Sequence, residues 1–191
     1  MRKIPTVFRR DPTDMQRVLP EVNPGCEWVL AGEGTALRKY DGTCVMFDGD
    51  RWWARREVKK GKPAPEGYVL VQSDEVTGKA VGWEPAEQSP FTKFLEEALE
   101  PSHQLYDPME PGTYELVGPK INANPEREPI HVLFRHDHAE VLGFNNGSPR
   151  RYDLLRGDLR MLARMGIEGI VYHHPDGRMA KLKGRDFPEG D

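Results

Sequence analysis

Apolar residues run along this chain in short alternating stretches broken by glycine, proline, aspartate and asparagine, a pattern that predicts many short strands and few helices. Thr43-Cys44-Val45-Met46-Phe47 and Arg51-Trp52-Trp53-Ala54-Arg55 flank Asp48-Gly49-Asp50, a β-hairpin signature. Gly169 to His173 and Met179 to Lys183 form a second pair around Pro175-Asp176-Gly177. Tyr68–Gln72, Thr113–Val117 and Ile130–Phe134 read as further strands. Two stretches have helical spacing. In Ser89 to Leu99, Ser89 can cap, Pro90 takes the first helical position, and Phe91, Phe94, Leu95 and Ala98 share one stripe. In Tyr152 to Met165, Asp153 is the expected cap, Leu154, Leu155, Leu159, Leu162 and Ala163 repeat at helical spacing, and Gly166 suits a left-handed stop. The expected fold class is α+β with mostly antiparallel sheet. The chain has no βαβ alternation, no GxxxxGK[ST] loop and no GxGxxG, so a doubly wound nucleotide fold is not expected.

The length of 191 residues suits a single domain over 1–191. Hydrophobic residues at 37% allow a core, and charged residues at 30% a well-solvated surface. Twenty-seven Lys+Arg against 31 Asp+Glu leave a formal charge of −4, so any anionic partner must be met by a local basic patch. Two cysteines, Cys26 and Cys44, are too few for a disulfide scaffold and read as free thiols in a reducing compartment. No stretch approaches the roughly 18 apolar residues of a membrane span, and no signal-like run follows Met1-Arg2-Lys3. A cytoplasmic location, no membrane partner and no obligate protein partner are the expectations.

The segment with chemical content is Lys39-Tyr40-Asp41-Gly42, a lysine ahead of a hairpin with an acid and a glycine behind it. Downstream, Thr113-Tyr114-Glu115-Leu116 sets one acid among apolar neighbours, and Ile167-Glu168-Gly169-Ile170 repeats that pattern. Lys181-Leu182-Lys183 then puts two ammonium groups on one face of a strand. This order resembles motifs I, III, IV and V of the covalent nucleotidyltransferases, the polynucleotide ligases and mRNA capping enzymes. Glu27-Trp28-Val29-Leu30, Lys39 to Cys44, Trp53-Ala54-Arg55, and Glu115-Leu116-Val117-Gly118 through Asn122 are similar, more narrowly, to small ATP-dependent RNA ligases. The likeness runs from about residue 3 to 187. The OB domain that DNA ligases and capping enzymes generally append is not expected here, which favours the RNA ligases.

The resemblance implies a ligase adenylation domain of mostly antiparallel sheets flanked by a few helices. It implies a two-stage use of ATP, in which AMP passes from a lysine to an RNA 5′-phosphate and is displaced by a 3′-hydroxyl, as in RNA repair. Lys39 is the implied nucleophile, and its amine, of ordinary pKa about 10.4, must be neutral to attack. Lys181, Lys183 and Arg55 are cations of the kind that favour the neutral form and bind phosphate. By family likeness Asp41 and Gly42 shape the pocket, Glu115 binds the ribose, and Phe134 is the candidate for stacking adenine, with an ordinary core phenylalanine as the competing reading. Glu168 suits Mg²⁺, or Mn²⁺, directly or through water. Reading Asp48-Gly49 as a two-residue turn puts Arg55 opposite Gly42, while the second hairpin's loop leaves its register open.

Arg56, with Lys59, Lys60 and Lys62 behind it, is balanced between a solvated loop and RNA-phosphate contact, as are Arg150 and Arg151. Lys120 and Asn122 are candidate RNA contacts against ordinary turn chemistry. Trp52 and Trp53 read as one core and one surface residue. His131, His136, Asp137 and His138 have spacing a metal could use, with His173-His174 farther on, yet zinc wants four convergent ligands and no cysteine lies nearby, so an RNA-phosphate or structural contact is the favoured reading of His136. An end-modifying adenylyl- or guanylyltransferase that does not seal, and a non-catalytic nucleotide- or RNA-binding module, are the alternative functions.

Overall fold

In a computed structural model, which describes residues 1–100, 110–143 and 147–188, the chain divides into two units. One comprises Ile4–Tyr40 and Ala139–Asp191, the other Met1–Lys3 and Asp41–His138. The class is α+β with mostly antiparallel sheets and few helices, as the pattern predicts. No helix of the described residues is long and apolar enough to cross a membrane.

The first unit carries β1 (Phe8–Arg10), β2 (Val18–Val22), α1 (Glu27–Leu30), β3 (Thr35–Lys39), α3 (Tyr152–Arg164), β10 (Gly169–His173) and β11 (Met179–Lys183). Its three-stranded sheet has the order β11-β10-β3, antiparallel throughout. Period-two alternation splits the sheet into two faces. Ala36, Ile170, Tyr172, Ala180 and Leu182 belong to the hydrophobic core shared with Leu155, Leu159 and Leu162 of α3. Lys39, Lys181 and Lys183 take the other face, because core positions fix the parity of each strand. The cap of α3 is Arg151 and not Asp153, whose carboxylate lies in the first turn, and Gly166 stops the helix at φ +80°.

Arg150 is neither solvated nor placed for phosphate. It is 4% exposed, its guanidinium donates to the carbonyls of Val29 (2.8 Å), Glu33 (2.9 Å) and Gly34 (3.2 Å), and it stacks over the Tyr172 ring at 4.9 Å. Those carbonyls close the turn that launches β3. Arg150→Ala removes all three of these bonds, leaving the Val29 carbonyl only the Gly32 N–H, and should lower stability by about 2–4 kcal/mol, read as a lower urea midpoint. An unchanged midpoint would contradict this structural role.

In the second unit, β4 (Thr43–Phe47), β5 (Trp52–Val58), β6 (Val69–Ser73), β7 (Ala80–Pro85), β8 (Gly112–Val117) and β9 (Val132–Arg135) form a six-stranded antiparallel sheet of order β6-β7-β5-β4-β8-β9. Val45, Phe47, Tyr114, Leu116 and Leu133 on one face pack against Leu95 and Ala98 of α2 (Thr92–Leu99). This helix begins two residues later than expected, with Phe91 and not Ser89 at its cap. Ser89 and Pro90 instead follow a short 3-10 turn, Ala86–Gln88, and Thr92 Oγ1 ties the junction by donating to the carbonyls of Ala86 (2.5 Å) and Ser89 (2.7 Å). Trp52 packs against Phe47 and Tyr114, whereas Trp53 turns its Nε1–H to Asp48 at 2.7 Å, the expected split of the pair.

The turn of the first hairpin is Gly49-Asp50, one residue later than expected. Asp48 N–H donates to the Arg51 carbonyl (3.2 Å), Gly49 takes φ +104°, and the Asp48 carboxylate accepts from the N–H groups of Asp50 and Arg51 at 2.9 Å each. These bonds hold the Asp48 carboxyl down to about 2. The register becomes Val45 opposite Ala54, which moves Arg55 from Gly42 to a place beside Cys44.

Candidate functional site

Lys39 ends β3 and Lys183 ends β11, and β10 runs between them with Gly169 opposite both. One row across three strands therefore reads Lys39, Gly169, Lys183, with both lysines on the face away from the core. Gly169 is required there, because a Cβ would collide with the Leu182 carbonyl and come within 2.8 Å of the Lys183 Cα. Glu168 precedes the row and supplies its counter-charge. Its Oε2 accepts from Lys39 Nζ, 129 residues away in sequence, and its Oε1 from Lys183 Nζ at 2.5 Å. Lys39 Nζ also reaches the Tyr40 carbonyl at 3.2 Å, and Arg185 approaches Glu168 at 3.9 Å. Lys181 stands one row further along the same face, opposite Val171.

The charged groups of this cluster are largely withdrawn from water, with side-chain exposures of 10% for Glu168, 14% for Lys183 and 19% for Lys39. Burial pushes the Glu168 carboxyl up, but the Lys39 charge and the hydrogen bonds from both lysines outweigh it and hold it below its ordinary value. One carboxylate thus serves two ammonium groups with a guanidinium close by. Among these described groups the cations outnumber the one carboxylate.

In the other unit, a row across the face opposite the core reads Arg55, Cys44, Glu115, Phe134 over β5, β4, β8 and β9. Three of the expected nucleotide contacts, Arg55, Glu115 and Phe134, therefore share a line. Gly42 N–H donates to Glu115 Oε1 at 3.1 Å. A Cβ on Gly42 would strike the Leu116 carbonyl and lie within 2.9 Å of both Val117 Cγ1 and Glu115 Cγ, so only glycine lets the chain come this close to β8. His136, in the 3-10 turn His136–His138 after β9, faces Glu115 Oε2 through Nε2 at 2.9 Å and Thr113 Oγ1 through Nδ1 at 3.0 Å. The Arg55 guanidinium donates to the Met1 carbonyl at 3.2 Å. Burial, reinforced by Glu115, pushes the Cys44 thiol up to about 12 although Arg55 pulls the other way.

Asp41 and Gly42 are held from a second side by the loop after β8. Asn122 Nδ2 donates to Asp41 Oδ1 (3.0 Å) and to the Gly42 carbonyl (2.9 Å), and Glu126 Oε1 accepts the Asp41 N–H at 2.8 Å. Asn122, Ala123 and Asn124 all lie at positive φ, between +47° and +61°. Asn124 secures this left-handed stretch by exchanging side-chain hydrogen bonds with the Glu128 carbonyl (2.9 Å) and N–H (3.0 Å). The Asn122 side chain, a candidate RNA contact in the sequence, is thus committed within the protein. Lys120 is exposed and gives its N–H to His131 Nε2 at 3.3 Å, and Arg56 is exposed with Nε 3.8 Å from Glu84.

Among the described residues, His131 joins no cluster of metal-ligating side chains. It is buried, stacks on Phe94 and bonds Glu97 at 2.6 Å, which docks α2 on β9. Thr113 and Glu126 are site residues that sequence reasoning passed over; His136 was singled out there, but not as a partner of Glu115, and the expectation that no cysteine lies near it is corrected by Cys44. Thr113 and Glu115 share a strand face by period two, but the pairing that brings Cys44 and His136 to them is long-range and leaves no local mark. No family model matches the chain, and no curated protein matches it.

Proposed function

We propose that this chain is an ATP-dependent RNA ligase of the covalent nucleotidyltransferase kind, with Lys39 as the nucleophile. The observation that carries the proposal is the Lys39–Glu168–Lys183 cluster: residues far apart in sequence, in the order of the motifs, sharing one half-buried carboxylate. A lysine that attacks a phosphorus atom needs cations around it, both to favour the neutral amine and to hold the phosphate, and Lys183, Lys181 and Arg185 are of that type.

In the proposed first step the neutral Lys39 Nζ attacks the α-phosphorus of ATP. A P–N bond forms, the bond to the bridging oxygen breaks, pyrophosphate leaves and the amine gives up its remaining extra proton to solvent. An RNA 5′-phosphate oxygen then attacks the same phosphorus and releases Lys39, and a 3′-hydroxyl attacks the activated 5′-phosphate and expels AMP. Glu115, steadied by Gly42 N–H and His136, is the proposed ribose acceptor, with Phe134 in the same row proposed for the base and Arg55 for phosphate. Glu168 is an ionised oxygen donor, but both its oxygens accept from lysine ammonium groups, so Mg²⁺, which keeps several waters, would meet it through water or in exchange for one of those bonds. Bound there, the ion would offset phosphate charge. The proposed adenylation domain, RNA ends and cytoplasmic setting belong to the same reading.

Intact mass after incubation with ATP and Mg²⁺ tests the proposal, and a gain of one AMP per chain is the expected result. No gain with ATP, with or without labelling by GTP, overturns it. The clamp on Asp41 and Gly42 gives a finer expectation. Asn122→Ala removes both donors and should slow adduct formation by about 10- to 100-fold, because the two residues directly after Tyr40 lose their fixed geometry. Asn122→Asp, which tolerates positive φ but cannot donate, separates the hydrogen bonds from backbone strain: a rate equal to wild type in that variant would count against the clamp.

A further inference from the structure

A cysteine, a glutamate and a histidine from three different stretches of the sequence meet on the six-stranded sheet. Cys44 stands directly opposite Glu115 in the β4–β8 pairing, and His136 folds back onto Glu115 from the end of β9. The Cys44 Sγ, a Glu115 carboxylate oxygen and a His136 ring nitrogen all lie within 4.8 Å of one another. We propose that these three residues form a binding site for zinc(II) or a similarly thiophilic divalent ion.

The donor set suits such an ion. A thiolate and a carboxylate neutralise two positive charges, a neutral imidazole completes three protein ligands, and a fourth tetrahedral position stays for water or a ligand oxygen. Bonds of about 2.0–2.3 Å put tetrahedral ligands roughly 3.3–3.8 Å apart, so the three atoms need to close by only about 1 Å, within the reach of small side-chain rotations. The outer partners are also in place. Thr113 Oγ1 lies 3.0 Å from His136 Nδ1, and a hydroxyl accepts as readily as it donates. The ring can therefore carry its hydrogen on Nδ1 and present the Nε2 lone pair to an ion. Gly42 N–H occupies Glu115 Oε1 at 3.1 Å and leaves Oε2 turned to the site. The nearby Arg55 charge opposes a cation, and a bound ion would have to displace the proton of the buried Cys44 thiol.

Without an ion the same atoms make a satisfied network, in which His136 donates from Nε2 to Glu115. Metal uptake tells the two states apart. Wild-type protein dialysed against Zn²⁺ should retain one ion per chain in the presence of excess Mg²⁺. Thr113→Val, which keeps all three ligands, should weaken binding by about 10- to 100-fold. Cys44→Ser and His136→Ala should each weaken it further. Should those variants fail to fold, Co²⁺ bound to the wild type decides, since a thiolate ligand gives a charge-transfer band that oxygen and nitrogen ligands lack. No retained ion, uptake undiminished in a folded Cys44→Ser/His136→Ala double variant, or bound Co²⁺ without the thiolate band overturns the proposal. None of these readouts depends on ligase activity.

Discussion

Lys39→Ala should form no AMP adduct at all, while the wild type gains one AMP in the same incubation. The expectation is absolute because the substitution removes the attacking atom, not a group that assists it. Lys183 is the nearest alternative amine and shares Glu168 with Lys39, so it is the residue most able to substitute. It ends a different strand, on the far side of Gly169, so a phosphorus atom held for in-line attack by Lys39 Nζ is expected to be out of line for Lys183 Nζ. Lys39→Arg sharpens the test. It keeps a cation for Glu168 and most of the packing but offers no neutral amine, so it should fold as the wild type and still take no label. A labelled Lys39→Ala protein with the adduct mapped to another residue would remove the assignment, and a labelled Lys39→Arg protein would do the same.

The two hairpins and the helix Tyr152–Arg164 were legible because each is local: turn residues, a period-two run or a period-3.6 run within some twenty residues. Lys39 itself shows where locality ends. It stands two residues from the Asp41-Gly42 pair ahead of a hairpin and reads as that hairpin's preface, yet its strand, Thr35–Lys39, pairs with Gly169–His173 more than a hundred residues on. Nothing in Thr35-Ala36-Leu37-Arg38-Lys39 names that partner. The acid and the lysines of the candidate site were visible as residues, but their meeting at Glu168 depends on register, and the register of the second hairpin was open until Gly169 was found opposite Lys183. Arg55 failed by a single turn residue, since Asp48 caps the turn with its side chain instead of entering it. Arg150 was misjudged for a different reason: an arginine spent on three backbone carbonyls looks the same in sequence as one spent on phosphate.

Glu168→Gln should be the most damaging change among the residues that do not form the adduct. The amide keeps the shape of the side chain and one acceptor, but it removes the negative charge that Lys39 and Lys183 share at Glu168. Removing one partner of a buried ionic group costs about 3 kcal/mol or more, roughly 6–12 °C in Tm for a chain of this size. The loss should depend on pH with a definite sign. The Glu168 carboxyl is held below its ordinary value of 4.5 in the folded protein, so the wild type enjoys its full contribution above about pH 4.5 and loses it as pH falls through the lower folded value. The stability gap between wild type and Glu168→Gln should therefore be constant near neutrality and close in acid. Adduct formation should fall about 100-fold, the size of effect seen when one charged partner of a phosphate-handling centre is lost. Lys183→Met placed on top of Glu168→Gln separates the causes. If the damage comes from the lost charge shared by the two ammonium groups, the double variant regains stability over the single one without regaining the activity, because the phosphate then lacks Lys183 as well. A double variant no more stable than Glu168→Gln would mean that the carboxylate matters through packing and not through charge, and the ionic account of this cluster would fail with it.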